Sequence, residues 1–164
     1  MKEKAAPEKA VPPKQTDMLL RQFIGYNMKR AYLQIQDDMA ETLEPLGLRI
    51  GTFSALAVIM ASPGISQTQL SEVLNIKRSG VVVVVDDLER AGAVQRTPVQ
   101  TDRRAYALQV TPAGKALWAR AEQAVQAHEA ALFADLDADE RRALQDLLVR
   151  AARSGAKHRK GTDG

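Results

Sequence analysis

The stretch Lys77 to Val94, KRSGVVVVVDDLERAGAV, decides the fold, because its five consecutive valines, Val81 to Val85, permit two readings. As a β-strand the run continues poorly into the charged DDLER that follows. As a helix, Val81, Val84, Val85 and Leu88 fall at i, i+3, i+4 and i+7 and make one inward stripe, and Ala91-Gly92 puts a glycine just past the helix end. β-Branched side chains lower helix propensity by about a few tenths of a kcal/mol each relative to alanine, a deficit that tertiary packing offsets. The spacing predicts a helix. Val82 and Val83 then project to its opposite side, onto a surface where valine is uncommon.

Upstream, SQTQLSEVL opens with Ser66 and carries Gln69 three residues later. That is the capping-box pattern, and it predicts a short helix with Leu70, Val73 and Leu74 facing inward and a turn at Asn75-Ile76. Phe53, Leu56, Ala57 and Met60 mark an earlier helix, stopped by Ser62-Pro63-Gly64. Before it, Leu20, Ile24, Met28, Ala31, Ile35, Met39, Leu43 and Leu46 recur at steps of three or four, one stripe on a single long helix from Asp17 to about Leu46 that Pro45 and Gly47 end.

Downstream, Val94 to Val99 and Ala105 to Val110 are β-prone runs separated by a polar turn, QTDRR, and read as a hairpin. Thr111-Pro112 opens another helix, since threonine caps and proline suits the first helical position. It carries Leu117, Ala121, Val125 and Leu132 and runs to about Ala134. Asp137 with Glu140 is a second capping-box match, followed by Leu144, Leu147, Leu148 and Ala151. The fold class that follows is mainly α with a small β-hairpin.

Composition agrees. The chain has 164 residues, 45% of them apolar and only 4% aromatic, which suits one helical domain with a packed core. Its 23 basic and 20 acidic residues nearly balance, so any basic patch depends on clustering and not on the sum. There is no cysteine, which excludes disulfides, thiol redox switching and thiolate metal sites. No apolar run reaches the length of a membrane span, and the N-terminal MKEKAAPEKAVPPKQ has charges and prolines where a secretory signal needs an apolar core. A cytoplasmic protein with no membrane partner is expected. Residues 1–16 read as a disordered arm and 154–164 as a basic flexible tail, because neither can bury enough apolar surface to offset its ordering entropy.

A short helix, a turn, a second helix and a hairpin make a winged helix-turn-helix, in which one helix enters the major groove and the hairpin tip reaches the flanking backbone or minor groove. From Leu70 to Leu117 the sequence LSEVLNIKRSGVVVVVDDLERAGAVQRTPVQTDRRAYALQVTPAGKAL resembles the core signature of MarR-family transcriptional regulators. The combination DLERAG, DRR and TPAG carries the resemblance, which extends over about Asp17 to Arg153. It implies a dimerisation helix over 17–46, a winged helix-turn-helix DNA-binding domain over 47–111, and C-terminal dimerisation helices over 112–153. The apolar stripes of the first helix and the last two are too long for the wing domain to cover alone and predict a homodimer, whose symmetry predicts a pseudo-palindromic operator on double-stranded DNA; the resemblance implies repression by default, and no cofactor is expected.

By position, Asp102 and Arg104 match the family's wing D-x-R, in which the acid orients an arginine toward the minor groove; a guanidinium suits a narrow, electronegative groove. Arg103 and Arg96 are candidate phosphate contacts. The sequence departs from the family in the reading helix, where Gly80, Val82 and Val83 stand at positions usually given to polar base-readers. Lys77, Arg78 and Ser79 alone offer hydrogen bonds near the helix start. Val82 and Val83 suit thymine methyl groups, a legitimate major-groove readout; the alternative is that they pack on a partner and DNA binding is weak or lost.

The resemblance also implies a small-molecule effector, often an aromatic or phenolic acid, held between the dimerisation helices and the wing domain. Tyr26, Phe53 and Trp118 are candidates for ring contact there, and Arg30 for a carboxylate. The ordinary alternative is that the aromatics are core and Arg30 is surface.

Two other function classes fit the residues less well. An enzyme has little support: His128 lies within an expected helix and His158 in the tail, and the pairs Asp37-Asp38 and Asp86-Asp87 are sequence neighbours that read as solvated helix faces. A winged-helix dimer that binds only another protein through its exposed valines remains open, because Asp86, Asp87, Glu89 and Arg90 give that face mixed charge.

Overall fold

The structure, a computed structural model, describes residues 17–99 and 102–161, and within them all side chains except those of 99, 102–105 and 155–161. The arm expected over 1–16 lies outside the described residues. Two units divide the chain, the first ending at Asp37 and the second running from Asp38.

The expected single helix from Asp17 to Leu46 is broken. Helix α1 spans Met18–Arg21, α2 spans Ile24–Leu43, and a separate 3-10 turn covers Glu44–Leu46. At the break the Asn27 side-chain amide donates to the Arg21 carbonyl at 2.7 Å, and at 3.1 Å to the Phe23 carbonyl, which also accepts the Asn27 backbone amide. At the other end Gly47 takes a left-handed conformation, φ 67°, and closes the turn.

The second unit holds the core. Helix α3 (Ile50–Ala61), α4 (Gln67–Leu74) and α5 (Arg78–Arg90) pack together and bury Leu56, Ile59, Leu70, Val81, Val85 and Leu88 almost completely. The valine run is therefore helical, with Val84 half-buried beside the stripe. Both halves of the Ser66 and Gln69 capping box form, and Asn75 ends α4 in the left-handed region at φ 51°. Val73 departs from expectation: it is exposed, because the inner face of this short helix is filled by Leu70, Ser71 and Leu74. Gly92, at φ 68°, ends α5, with the Ala93 amide bonded back to the Leu88 carbonyl.

Strands β1 (Val94–Val99) and β2 (Asp102–Val110) form the antiparallel hairpin, with Val94 opposite Val110 and a register irregularity after Pro98. β2 begins three residues before the expected Ala105, so only residues 100 and 101 lie between the strands. A third piece of backbone, unforeseen in the sequence, lies along β2: the Gly64 amide donates to the Leu108 carbonyl and the Leu108 amide to the Ile65 carbonyl, each at 2.9 Å.

Helix α6 (Pro112–Leu132) starts at Thr111, whose hydroxyl accepts from the Gly114 amide at 3.0 Å and donates to the Gly92 carbonyl at 2.6 Å. Gly114 packs against Ala93 so closely that a Cβ there would fall on the Ala93 carbonyl and within 2.8 Å of Val110 Cγ1. The chain enters α6 tied to the end of α5. Asp137 caps α7 (Ala138–Gly161), accepting from the amides of Asp139 and Glu140. α7 stays helical through Gly161, where the sequence suggested a flexible tail from Ser154; the Ala, Lys and Arg of that segment favour helix, and cations at a helix C-terminus are electrostatically favoured.

Candidate nucleic-acid interface

Asn75, Ile76 and Lys77 connect α4 to α5, and Lys77 takes the N-cap position with extended backbone and no side-chain capping bond. Lys77, Arg78 and Ser79 are all exposed at the start of α5. Two cations at the positive end of a helix dipole are unfavourable for the helix alone but concentrate positive charge for an anionic partner. One turn further on, Val82 and Val83 are 43% and 55% exposed, on the side opposite the fully buried Val81 and Val85. The structure thus brings Lys77, Arg78, Ser79, Val82 and Val83 onto one helix surface, the first three at its end and the valines at its middle.

The acidic residues of α5 are not the solvated pair that their spacing suggested. Asp86 and Glu89 both bind Arg96 of β1, and Asp87 binds Arg49, at the N-cap of α3, and Arg90. Arg96 is only 21% exposed at its side chain. With its amide oxygen turned toward Arg96, Gln67 of α4 also accepts from Nε at 3.0 Å. Burial works against the charge of this guanidinium, but the Asp86 hydrogen bond and the charges of Glu89 and Asp86 outweigh it and hold the group above its usual range. Arg96, expected as a phosphate contact, is instead engaged within the protein, where it ties the hairpin to the reading helix and pairs with two acids on that helix. Asp102, Arg103 and Arg104 stand in the opening residues of β2; their side chains lie outside the described residues.

Of the four residues expected at an effector, two associate within each unit. Phe53 of α3 and Trp118 of α6 stack at 5.2 Å between ring centroids, 17° from parallel, and both are half-buried against the core. In the first unit, Tyr26 and Arg30 stand one turn apart on α2 and both bind Asp17. Asp17 also accepts from Arg21, so an acid that sequence reading passed over is the centre of a network; its i, i+4 spacing to Arg21 was the available signal. The Tyr26 hydrogen bond is the largest influence on the Asp17 carboxyl and lowers its pKa; partial desolvation opposes it, and Arg21 and Arg30 add to the lowering.

Apolar side chains remain uncovered along α1, α2 and the break between them, and on α7. Leu19, Phe23, Ile24 and Leu33 are half-exposed or more in the first unit, and Leu144, Leu147 and Leu148 make an exposed stripe on α7. Between α6 and α7 lies a groove of about 280 Å³ lined by Phe133, Leu144 and Leu148 with Gln126 and Arg141 at its sides. Among the described residues no single helix is long and apolar enough to cross a membrane.

Comparison with known proteins agrees with this architecture. The MarR family model matches residues 46–105, which span α3 to the hairpin. A putative transcriptional regulatory protein for the hcr operon of Thauera aromatica is 36% identical over 131 residues, covering 79% of each chain. The transcriptional repressor CouR, solved on a 23-mer DNA duplex, is 36% identical with a TM-score of 0.78, over 85% of this chain and 97% of that one. CouR bound to p-coumaroyl-CoA gives a TM-score of 0.74 at 34% identity, over 86% of this chain and 98% of that one. A MarR family protein of Mycobacterium tuberculosis in complex with salicylic acid gives 0.65 at 30% identity, over 79% and 96% of the two chains. With the hairpin, the paired short helices and these relatives in agreement, the chain belongs to the MarR family of transcriptional regulators.

Proposed function

We propose that the protein is a homodimeric repressor that binds a pseudo-palindromic operator through α5 and is released by a small organic acid. The observation that carries the DNA reading is the surface of α5: Lys77, Arg78 and Ser79 exposed at its start and Val82 and Val83 exposed at its middle, while its other valines are buried or half-buried. The three polar residues supply hydrogen bonds and phosphate contacts, and the valines accept thymine methyl groups. Asp102, Arg103 and Arg104 belong to the wing, with Arg104 entering the minor groove and Asp102 orienting it. Arg96 acts as a strut and not as a phosphate ligand.

Two copies are needed to cover the exposed stripes of α1, α2 and α7, which suits the dimerisation segments 17–46 and 112–153 around a DNA-binding domain over 47–111. Two-fold symmetry then makes the operator pseudo-palindromic, its half-sites about one helical turn, roughly 34 Å, or a multiple apart. CouR on DNA supports the first partner, and the coumaroyl-CoA and salicylic acid complexes support an aromatic acid or its derivative as the second. Tyr26, Arg30, Phe53 and Trp118 are the candidate effector contacts. The protein works in the cytoplasm and needs no cofactor.

The test is selection of genomic fragments by the purified protein across a salt series, followed by sequencing. Recovery of one palindromic motif, with affinity falling steeply as salt rises, supports the proposal. Retention of no preferred sequence overturns it in favour of docking to another protein through Val73, Ile76, Val82 and Val83, whose exposed apolar side chains favour that second reading.

A further inference from the structure

Asp17 occupies the N-cap position of α1, where aspartate commonly accepts from its own helix, yet its side chain makes no capping bond. Its carboxylate is turned instead to side chains, two from α2 and one from the end of α1. Tyr26 Oη donates to Oδ2 at 2.7 Å, Arg30 Nη1 pairs with the same oxygen, and Arg21 Nε donates to Oδ1 at 3.0 Å. The Arg30 guanidinium lies over the Tyr26 ring, 5.9 Å from its centroid. The acid is the enclosed member of the group: Asp17 is 16% exposed at its side chain, and Arg21 and Arg30 are 42% and 53% exposed.

Tyr26 and Arg30 are one helical turn apart on α2, so the helix itself holds a phenol and a guanidinium in position for one carboxylate. The acceptor they hold comes from a different element, across the break at Gln22 and Phe23. Asp17 also has a second place to go, because no side chain caps the start of α1 and the first-turn amides not already bonded to the Asp17 carbonyl suit the same carboxylate. Leaving Tyr26 and Arg30 therefore does not strand it without a partner.

We propose that Tyr26 and Arg30 form a receptor for the carboxylate of a small organic acid, and that Asp17 is its resident occupant, displaced onto the N-cap of α1 when such an acid binds. This rests on the effector reading above and gives it a stated chemistry: the incoming group is anionic, and it competes with an acid of the chain itself. Occupation by Asp17 lowers apparent affinity by the fraction of time the receptor is open. Binding at this place shifts α1 from one side-chain arrangement to the other, which gives the ligand a differential effect on the start of the chain.

The experiment uses the full-length protein, wild type and Asp17→Ala, titrated with benzoate and with neutral benzamide at matched ionic strength, read by the NMR shift of the Arg30 Nε–H. Circular dichroism confirms that the variants keep their helix content. If Asp17 fills the receptor roughly nine-tenths of the time, benzoate binds Asp17→Ala about tenfold more tightly than wild type. Benzamide gains nothing, and Asp17→Ala with Arg30→Gln loses the benzoate response, read there by the Tyr26 ring signals. Asp17→Ser, which can cap α1 but brings no charge, gains as much as the alanine variant. Equal benzoate affinity in wild type and Asp17→Ala, no benzoate binding to Asp17→Ala, or an equal gain for benzamide overturns the proposal. DNA takes no part in the measurement, so a failed operator selection and a failed receptor are distinguishable.

Discussion

Arg96, the third residue of strand β1, reaches back to Asp86 in the middle of α5 and joins the hairpin to the reading helix. Glu89 completes the contact through the guanidinium's other terminal nitrogen. Because the cation is already neutralised, its removal should act on geometry and not on phosphate binding. Arg96→Ala is expected to lower stability in urea by about 1 to 2 kcal/mol, the lower range being apt because both acids remain partly in water. DNA affinity should fall, while the slope of log affinity against log salt stays at the wild-type value. A phosphate ligand behaves differently, its loss flattening that slope by about 0.9. Such a flattening in Arg96→Ala would return this residue to the DNA contacts.

Val82 and Val83 permit a test on the DNA side. If they pack on thymine methyl groups, replacing the contacted thymines of a selected operator by uracil removes the methyl and leaves every hydrogen bond intact. Each lost contact is worth about 0.8 kcal/mol, close to about fourfold in affinity. Fluorescence anisotropy should show that loss for the wild type and a much smaller one for Val82→Ala with Val83→Ala. An equal uracil penalty in both proteins would rule out the methyl contact.

Gly114 and Gly25 should respond in opposite directions to the same substitution. A methyl group at 114 meets the Ala93 carbonyl, and neither the backbone of α5's end nor the capped start of α6 can move without breaking the Thr111 bonds. Gly114→Ala should destabilise by about 1 to 3 kcal/mol or more. At Gly25, within α2, nothing lies within 4 Å of the added carbon, and Gly25→Ala should stabilise by about 0.5 to 1 kcal/mol. Urea unfolding of the two variants checks both signs; a neutral Gly114→Ala would mean that the close packing of α6 on Ala93 is absent in solution.

What could be read in the sequence was local. The valine stripe repeats within one helix, and the caps at Ser66, Thr111 and Asp137 lie within three residues of what they bind, so spacing alone revealed them. The exposure of Val82 and Val83 followed from the same periodicity. The role of Arg96 did not, because its acids lie on another element, ten and seven residues back along the chain. Asp87 reaches Arg49, thirty-eight residues away, and no local pattern pairs them. The break between α1 and α2 was hidden for another reason: the apolar stripe runs straight through it, and the Asn27 side-chain amide that binds the Arg21 and Phe23 carbonyls there leaves no mark in the periodicity. Val73 failed because a helical face was assigned without knowing how much of an eight-residue helix its neighbours would cover.

Asp17 sets the last expectation, through pH. Its carboxyl is held below the ordinary value of 3.8 by the Tyr26 hydrogen bond first, against partial desolvation, and then by Arg21 and Arg30. A carboxyl whose folded pKa is depressed contributes its contact fully above the unfolded value and loses it as pH falls through the folded one. The contact with Tyr26 and Arg30 should therefore persist unchanged from neutral pH down to about the unfolded value and dissolve only in more acidic solution. Carboxyl carbon NMR should place the Asp17 midpoint below 3.8 in the wild type, and Tyr26→Phe should move it upward toward that value. The Arg30 Nε–H signal should shift with the same midpoint in each protein, since both report one contact. A wild-type midpoint at or above 3.8, or one that Tyr26→Phe leaves in place, would show that the phenol does not hold this acid.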